Sequence, residues 1–189
     1  MATESTKDLA LGSALPPIAL TDAASGRRWM PADAADAGAL LVAFICNHCP
    51  YVIHVRPAFV AFAAEFRARG LAVVAISSND PAIVPQDGPD AMAAEAKRSG
   101  FGFPYLYDET QATARAFGAA CTPEFFLFDA NRRLAYHGRF DGTRPGGTTA
   151  AHGSDLRAAV DAVLAGRPAP ADQKPALGCS IKWRPTAGR

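Results

Sequence analysis

The sequence predicts an α/β sandwich, a mixed central sheet with helices on both faces, on three observations. Two short apolar runs rich in branched and aromatic side chains, 39–45 and 71–77, read as strands buried on both faces. Between them Val52, Val55, Phe59, Phe62 and Phe66 recur at the spacing of one helix face. Further along, two apolar runs flank the polar break Ala130-Asn131-Arg132, the pattern of an antiparallel hairpin. A parallel strand–helix–strand half followed by a hairpin and a last helix gives a mixed sheet.

The elements follow in order. The stretch before Ala39 is an N-terminal extension. The first long helix closes with Arg67, Arg69 and Gly70, cations and a glycine where the dipole and a left-handed cap favour them. Residues 80–89, with three prolines and a glycine, read as a loop. Alanine-rich 90–98 reads as a helix stopped by Gly100, 104–107 as a short strand, and 108–117 as a helix with acids at its start. The hairpin strands are expected at 125–129 and 134–140. The final helix is expected to start at Ser154 as N-cap and to end before Gly166, with Leu156, Val160, Val163 and Leu164 on its apolar face. Four prolines after Gly166 make 166–189 an irregular tail, docked through Ile181 and Trp183, so the chain divides into a domain 1–165 and that tail.

Composition removes several function classes. The chain is 49% hydrophobic and 20% charged, which supports a full core rather than disorder. Nineteen Lys and Arg against eighteen Asp and Glu leave no basic surplus for a phosphate backbone, so no nucleic-acid partner is expected. The longest fully apolar run, 39–46, falls far short of the ~20 residues a spanning helix needs, so no membrane partner is expected. The N-terminal residues carry acids where a signal peptide has a basic patch, and the expected location is cytoplasmic. No glycine-rich dinucleotide fingerprint follows a predicted strand, and no cofactor is expected.

The strongest chemical signal is Cys46-Asn47-His48-Cys49, where the first strand ends and the long helix begins. Two cysteines three apart can close a small disulfide loop, and the unpaired N–H groups at a helix N-terminus stabilise a thiolate. Cys46, outermost in the turn, is expected to be exposed, of lowered pKa, and the nucleophile. Cys49, one turn in, resolves the mixed disulfide. His48 adds a donor or partial positive charge that favours the thiolate and pushes the couple toward the oxidising end. The other reading of such a pair is half of a zinc site. Its remaining ligands would have to come from Cys121, Cys179, His54, His137 and His152, which are singly placed, so no metal is assigned.

A Cys-x-x-Cys at a strand-to-helix junction, followed about 75 residues later by Thr122-Pro123 entering a hairpin, resembles the thioredoxin superfamily. The longer segments Cys46-Asn47-His48-Cys49-Pro50-Tyr51-Val52, 121–129 and Gly178-Cys179-Ser180-Ile181-Lys182-Trp183 resemble a bacterial redoxin subgroup, the peroxiredoxin-like alkyl hydroperoxide reductase and thiol-specific antioxidant class. The resemblance implies a thioredoxin-like three-layer sandwich, a cis Pro123 facing the disulfide, and a Thr122 backbone, with Asn47 nearby, that binds the incoming substrate strand.

Two departures from the family pattern stand out. Thioredoxins carry a buried acid on the strand before the motif, whereas 39–45 is wholly apolar; proton transfer then falls to Glu124 beside Pro123, with Asp80 a weaker choice. The peroxiredoxin Pro-x-x-x-Thr-x-x-Cys motif is also missing: Ala39 and Ala43, or Val42 and Cys46, occupy its Pro and Thr positions. Cys121 reads as a third redox thiol or as a small apolar core residue. Cys179 reads as a resolving thiol folded back onto the site, a link between two chains, or a free thiol.

The expected activity is thiol–disulfide exchange on protein or small-molecule disulfides, with an external dithiol reductant. The alternatives are a thiol-dependent peroxidase passing through a sulfenic acid at Cys46, or a metal-binding redoxin using Cys46, Cys49 and a histidine.

Overall fold

The computed structural model describes residues 2–6 and 8–185. Its main sheet has seven strands in the order β3-β2-β6-β5-β4-β8-β9. These are β2 (Leu20–Asp22), β3 (Arg28–Trp29), β4 (Ala39–Phe44), β5 (Leu71–Ser77), β6 (Tyr105–Tyr107), β8 (Glu124–Phe128) and β9 (Leu134–Gly138). The central β4, β5 and β6 run parallel, and β8, β9, β2 and β3 extend the sheet antiparallel on either side. The sheet is therefore mixed, as expected.

Strand alternation splits the core in two. Ala39, Leu41 and Ala43 of β4 face one side, and Leu40, Val42 and Phe44 face the other. On the first side lie helices α1 (Pro50–Arg67), α2 (Pro89–Ser99) and α4 (Ser154–Leu164). The alanines of β4 leave room there for rings: Phe59 meets Phe125 and Phe103 at 5.3 Å, and Phe62 meets Phe66 at 4.6 Å between centroids. On the second side α3 (Ala112–Phe117) sets Phe117 edge-on against Phe44 and Phe126, at 5.3 and 5.2 Å. No described helix is long and apolar enough to cross a membrane.

Most boundaries fall within one or two residues of the sequence reading, and three elements differ from it for a structural reason. The helix expected over 108–117 is only Ala112–Phe117, because the Asp108 carboxylate accepts hydrogen bonds from the amides of Thr113 and Ala114 and holds 108–111 as a turn. The last helix is capped by Gly153 rather than Ser154. Gly153 has φ 71, a β-carbon there would lie 2.5 Å from the Phe140 ring, and Asp141 accepts the Gly153 amide at 2.6 Å. In the tail, 166–176 is irregular, but β10 (Leu177–Ser180) is a strand. It lies between β1 (Ala2–Glu4) and β7 (Cys121–Thr122) in a second, three-stranded sheet. Ile181 and Trp183 dock as expected: Ile181 is buried in the second core and Trp183 packs against it.

Candidate active site

The Cys46–Cys49 turn joins β4 to α1. Pro50 opens the helix at once, since its fixed φ and missing N–H suit the first turn, and Cys49 is the N-cap in extended conformation. Facing the turn is the Thr122–Pro123 bond, which is cis. Cys46 Sγ lies 3.2 Å from the Thr122 hydroxyl, and Cys49 Sγ lies 3.2 Å from the Thr122 carbonyl oxygen. Chain segments 73 and 76 residues apart thus meet at two sulfurs and one threonine.

Cys46 is not exposed, contrary to the expectation from its place in the turn: it is 1% accessible, and Cys49 is fully buried. Its acidity also runs opposite to that expectation. The Cys46 thiol is held far above its ordinary range by donating to Cys49, by burial, and by the negative field of Asp87. Cys49 is brought down from 9.0 to about 5, chiefly by the hydrogen bond from Cys46. The Cys179 thiol and the backbone N–H groups of Val52 and Cys179 add to this, and burial opposes it. Both shifts favour placing a negative charge of the reduced pair on Cys49, at the helix N-terminus. A second arrangement of the same proton is available, with Cys49 protonated and donating to the Thr122 carbonyl and the Thr122 hydroxyl donating to Cys46.

Asp87, which the sequence reading passed over as part of a loop, organises this turn. It is fully buried, and its Oδ1 accepts the amides of Asn47 (2.7 Å) and His48 (3.3 Å). Its Oδ2 accepts from Asn79 Nδ2 at 2.7 Å and pairs with His48 Nδ1 at 2.6 Å. Asn47 in turn donates to the Gln86 carbonyl and accepts from the Tyr105 hydroxyl, so it is tied into the scaffold. Cys46 Sγ, a His48 ring nitrogen and an Asp87 oxygen lie within 4.8 Å of one another, a donor set of a size that can hold a metal ion. The only sequence cue to Asp87 was an acid between breakers in Pro85-Gln86-Asp87-Gly88-Pro89.

Glu124 lies elsewhere. Its Oε1 pairs with His137 at 2.6 Å, and its Oε2 accepts the amides of Ala120 and Cys121 and contacts the Cys121 sulfur at 3.8 Å. Among the described residues no hydrogen bond links Glu124 to Cys46 or Cys49, because its side chain points to the same sheet face as Phe126, away from α1. Asp80 is likewise engaged away from the sulfurs, at the Ala82 amide. Burial and Glu124 push the Cys121 thiol well above its ordinary range, which suits the small core residue among the two readings.

The Thr122 edge expected to receive a substrate strand is filled by the chain itself. Strand β10 pairs antiparallel with β7, Cys179 opposite Thr122 and Ser180 opposite Cys121. Gly178 is required for this approach, since a β-carbon there would lie 1.9 Å from the Thr122 carbonyl oxygen. Cys179 is thereby placed opposite Thr122, whose carbonyl oxygen Cys49 contacts.

Comparisons with known proteins agree with this architecture. The chain is 45% identical to an uncharacterized conserved protein from Geobacillus kaustophilus, over 99% of this chain and 98% of that one, with a TM-score of 0.95. It is 49% identical to a hypothetical protein from Sinorhizobium meliloti 1021, over 98% and 100% of the two chains, with a TM-score of 0.93. A putative thiol:disulfide interchange protein DsbE from Chlorobium tepidum, 20% identical over 83% of this chain and 99% of that one, shares the thioredoxin-like fold with a TM-score of 0.64. No curated protein matches. The AhpC/TSA family model matches residues 11–137, about two thirds of the sequence, and includes the Cys46–Cys49 turn, Asp87 and the cis-proline loop. The fold is thioredoxin-like, the function is thiol-based redox chemistry, and the chain belongs to the AhpC/TSA family.

Proposed function

We propose that the protein is a thiol–disulfide oxidoreductase that cycles Cys46 and Cys49 between dithiol and disulfide. The observation that carries this reading is the placement of both sulfurs within 3.2 Å of Thr122, at the cis Thr122–Pro123 bond. In the reducing direction the Cys46 proton passes to Cys49, which then donates to the Thr122 carbonyl. The Cys46 thiolate, held by the Thr122 hydroxyl, attacks a substrate disulfide, and one substrate sulfur leaves as a thiolate. Cys49 then gives its proton to that leaving thiolate, attacks Cys46 of the mixed disulfide, closes the Cys46–Cys49 bond, and releases the second substrate thiolate. The His48 ring pairs with Asp87, whose negative field otherwise opposes a Cys46 thiolate. Electrons return from an external dithiol. We place this cycle in the cytoplasm, with no nucleic-acid or membrane partner.

The test is a titration of the purified protein against a dithiol/disulfide buffer, beside a Cys46→Ser variant, with thiols mapped by mass. One two-electron transition assigned to Cys46–Cys49 in the wild type and absent from the variant supports the reading. Its absence from the wild type refutes it.

The family match favours one second reading, a thiol-dependent peroxidase. The burial of Cys46 and the missing Pro-x-x-x-Thr-x-x-Cys motif count against it. Stoichiometric turnover of hydrogen peroxide with a thiol donor, lost in Cys46→Ser, would favour it over disulfide exchange.

A further inference from the structure

The Cys46–Cys49 pair is closed to solvent: its two sulfurs belong to residues 1% and 0% accessible. Burial slows direct attack on this pair by an external thiol, because thiol–disulfide exchange needs the attacking sulfur in contact with the sulfur it displaces. The surroundings of Cys49 offer a way around this. Its sulfur touches the Thr122 carbonyl at 3.2 Å, and Cys179 lies opposite Thr122 across the β7–β10 pairing. Thr122 thus brings Cys46 to its hydroxyl, Cys49 to its carbonyl and Cys179 to the paired strand, and the Cys49 and Cys179 thiols shift each other's acidity. Of the three, Cys179 alone is partly exposed. Gly178 seats this strand without leaving room for a side chain, so the approach is built into the backbone.

We infer that Cys179 is a third redox thiol that exchanges with Cys49 and carries electrons between the buried pair and thiols outside. The inference rests on the oxidoreductase reading above. In the oxidised protein the Cys179 sulfur attacks Cys49, the Cys49–Cys179 bond forms, the Cys46–Cys49 bond breaks, and Cys46 leaves as a thiolate that takes up the proton Cys179 gave up. An external dithiol then attacks Cys179, releasing Cys49 as a thiolate, and its second thiol closes on its own mixed disulfide and frees Cys179. The two electrons come from that dithiol, which ends as a disulfide, and the first step is an exchange with no net redox change.

The electrostatics time this step. In the reduced protein Cys179 is pushed up to about 11, by burial and then by its hydrogen bond to, and repulsion from, the Cys49 thiolate; Lys182 acts the other way. Closing the Cys46–Cys49 disulfide removes that thiolate, and both Cys49 contributions disappear while Lys182 remains. Cys179 therefore becomes a better nucleophile when there is a disulfide for it to attack.

Two measurements test this on the full chain. Cys46→Ser, oxidised with glutathione disulfide and mapped by mass, should yield an intramolecular Cys49–Cys179 disulfide. In Cys179→Ser and Cys179→Ala the equilibrium Cys46–Cys49 transition should persist, while the rate of its reduction by dithiothreitol should fall at least about tenfold, through loss of an intramolecular attacking thiol. Circular dichroism checks that both variants are folded. Reduction as fast as in wild type would overturn the relay, as would Cys46→Ser protein in which Cys49 is found only glutathionylated or free. If the wild type lacks the Cys46–Cys49 transition, the oxidoreductase reading fails on its own account, and the Cys46→Ser map still decides whether Cys49 and Cys179 pair.

Discussion

Replacing Asp87 with asparagine should lower stability and at the same time make Cys46 more acidic. Asp87 is fully buried and engaged by the Asn47 and His48 amides, the Asn79 side chain and the His48 ring. An amide of the same shape turns one of its two acceptor oxygens into a donor and faces it against N–H groups. Removing one partner of a buried charged pair costs about 3–5 kcal/mol. His48 keeps a quarter of its side chain in solvent and can rehydrate, which favours the lower end, about 3 kcal/mol. At about 2–4 °C per kcal/mol for a chain of this size, Tm should fall by roughly 6–12 °C. The negative field of Asp87 is one of the causes that hold the Cys46 thiol up, so its removal moves the Cys46 pKa down. Urea unfolding followed by circular dichroism gives the first quantity. Alkylation rate against pH, with Cys46 identified by peptide mass, gives the second. A stability change within about 0.5 kcal/mol would refute the assigned network. An unchanged or raised Cys46 pKa would refute the electrostatic argument even if the protein were destabilised.

Cys46→Ala should raise the Cys49 pKa from about 5, because it removes the largest cause of the depression, and ultraviolet thiolate absorbance against pH would show the midpoint moving up. Gly178→Ala sets a β-carbon into the Thr122 carbonyl, so β10 should separate from β7 and Cys179 should alkylate faster than in wild type while the Cys46–Cys49 disulfide still forms. Asp141 is lowered from 3.8 to about 2: burial raises it, but hydrogen bonds from the Thr143 hydroxyl and the amides of Gly153, His152 and Thr143 outweigh burial. Its folded pKa is the depressed one, so it stabilises the protein fully above about pH 4 and loses that contribution as pH falls through about 2. Allowing for solvent screening, the amount is about 1–2 kcal/mol, and Asp141→Asn should flatten the acid limb of the stability profile between those values.

The sequence by itself determined the elements whose causes are local. The runs 39–45 and 71–77 announced β4 and β5 because strands buried on both faces are continuously apolar, and the Val52-to-Phe66 spacing announced α1 because only a helix brings those positions onto one face. The Cys46–Cys49 turn and the Thr122–Pro123 loop were legible as motifs, and with them the two halves of the site. The hairpin was legible too, since Asp129 accepts the amides of Asn131 and Arg133 within its own turn.

What the fold alone decided depends on contacts far apart in the chain. Strands β3 and β7 have two residues each, too short for any periodicity, and exist only because a partner strand pairs with them. Strand β10 sits in a proline-rich segment whose composition argues against structure, and it forms because β1 and β7 offer edges on both sides. The order of acidity, opposite to the expected one, comes first from the local interaction of Cys46 with Cys49, and long-range packing adds to it. Asp87 arrives from about 40 residues away to oppose a charge on Cys46, while Cys179 arrives on β10 to help stabilise one on Cys49. A thiol's position in a motif fixes what it is bonded to, but its acidity is set by burial and by charges that tertiary structure brings within a few ångströms.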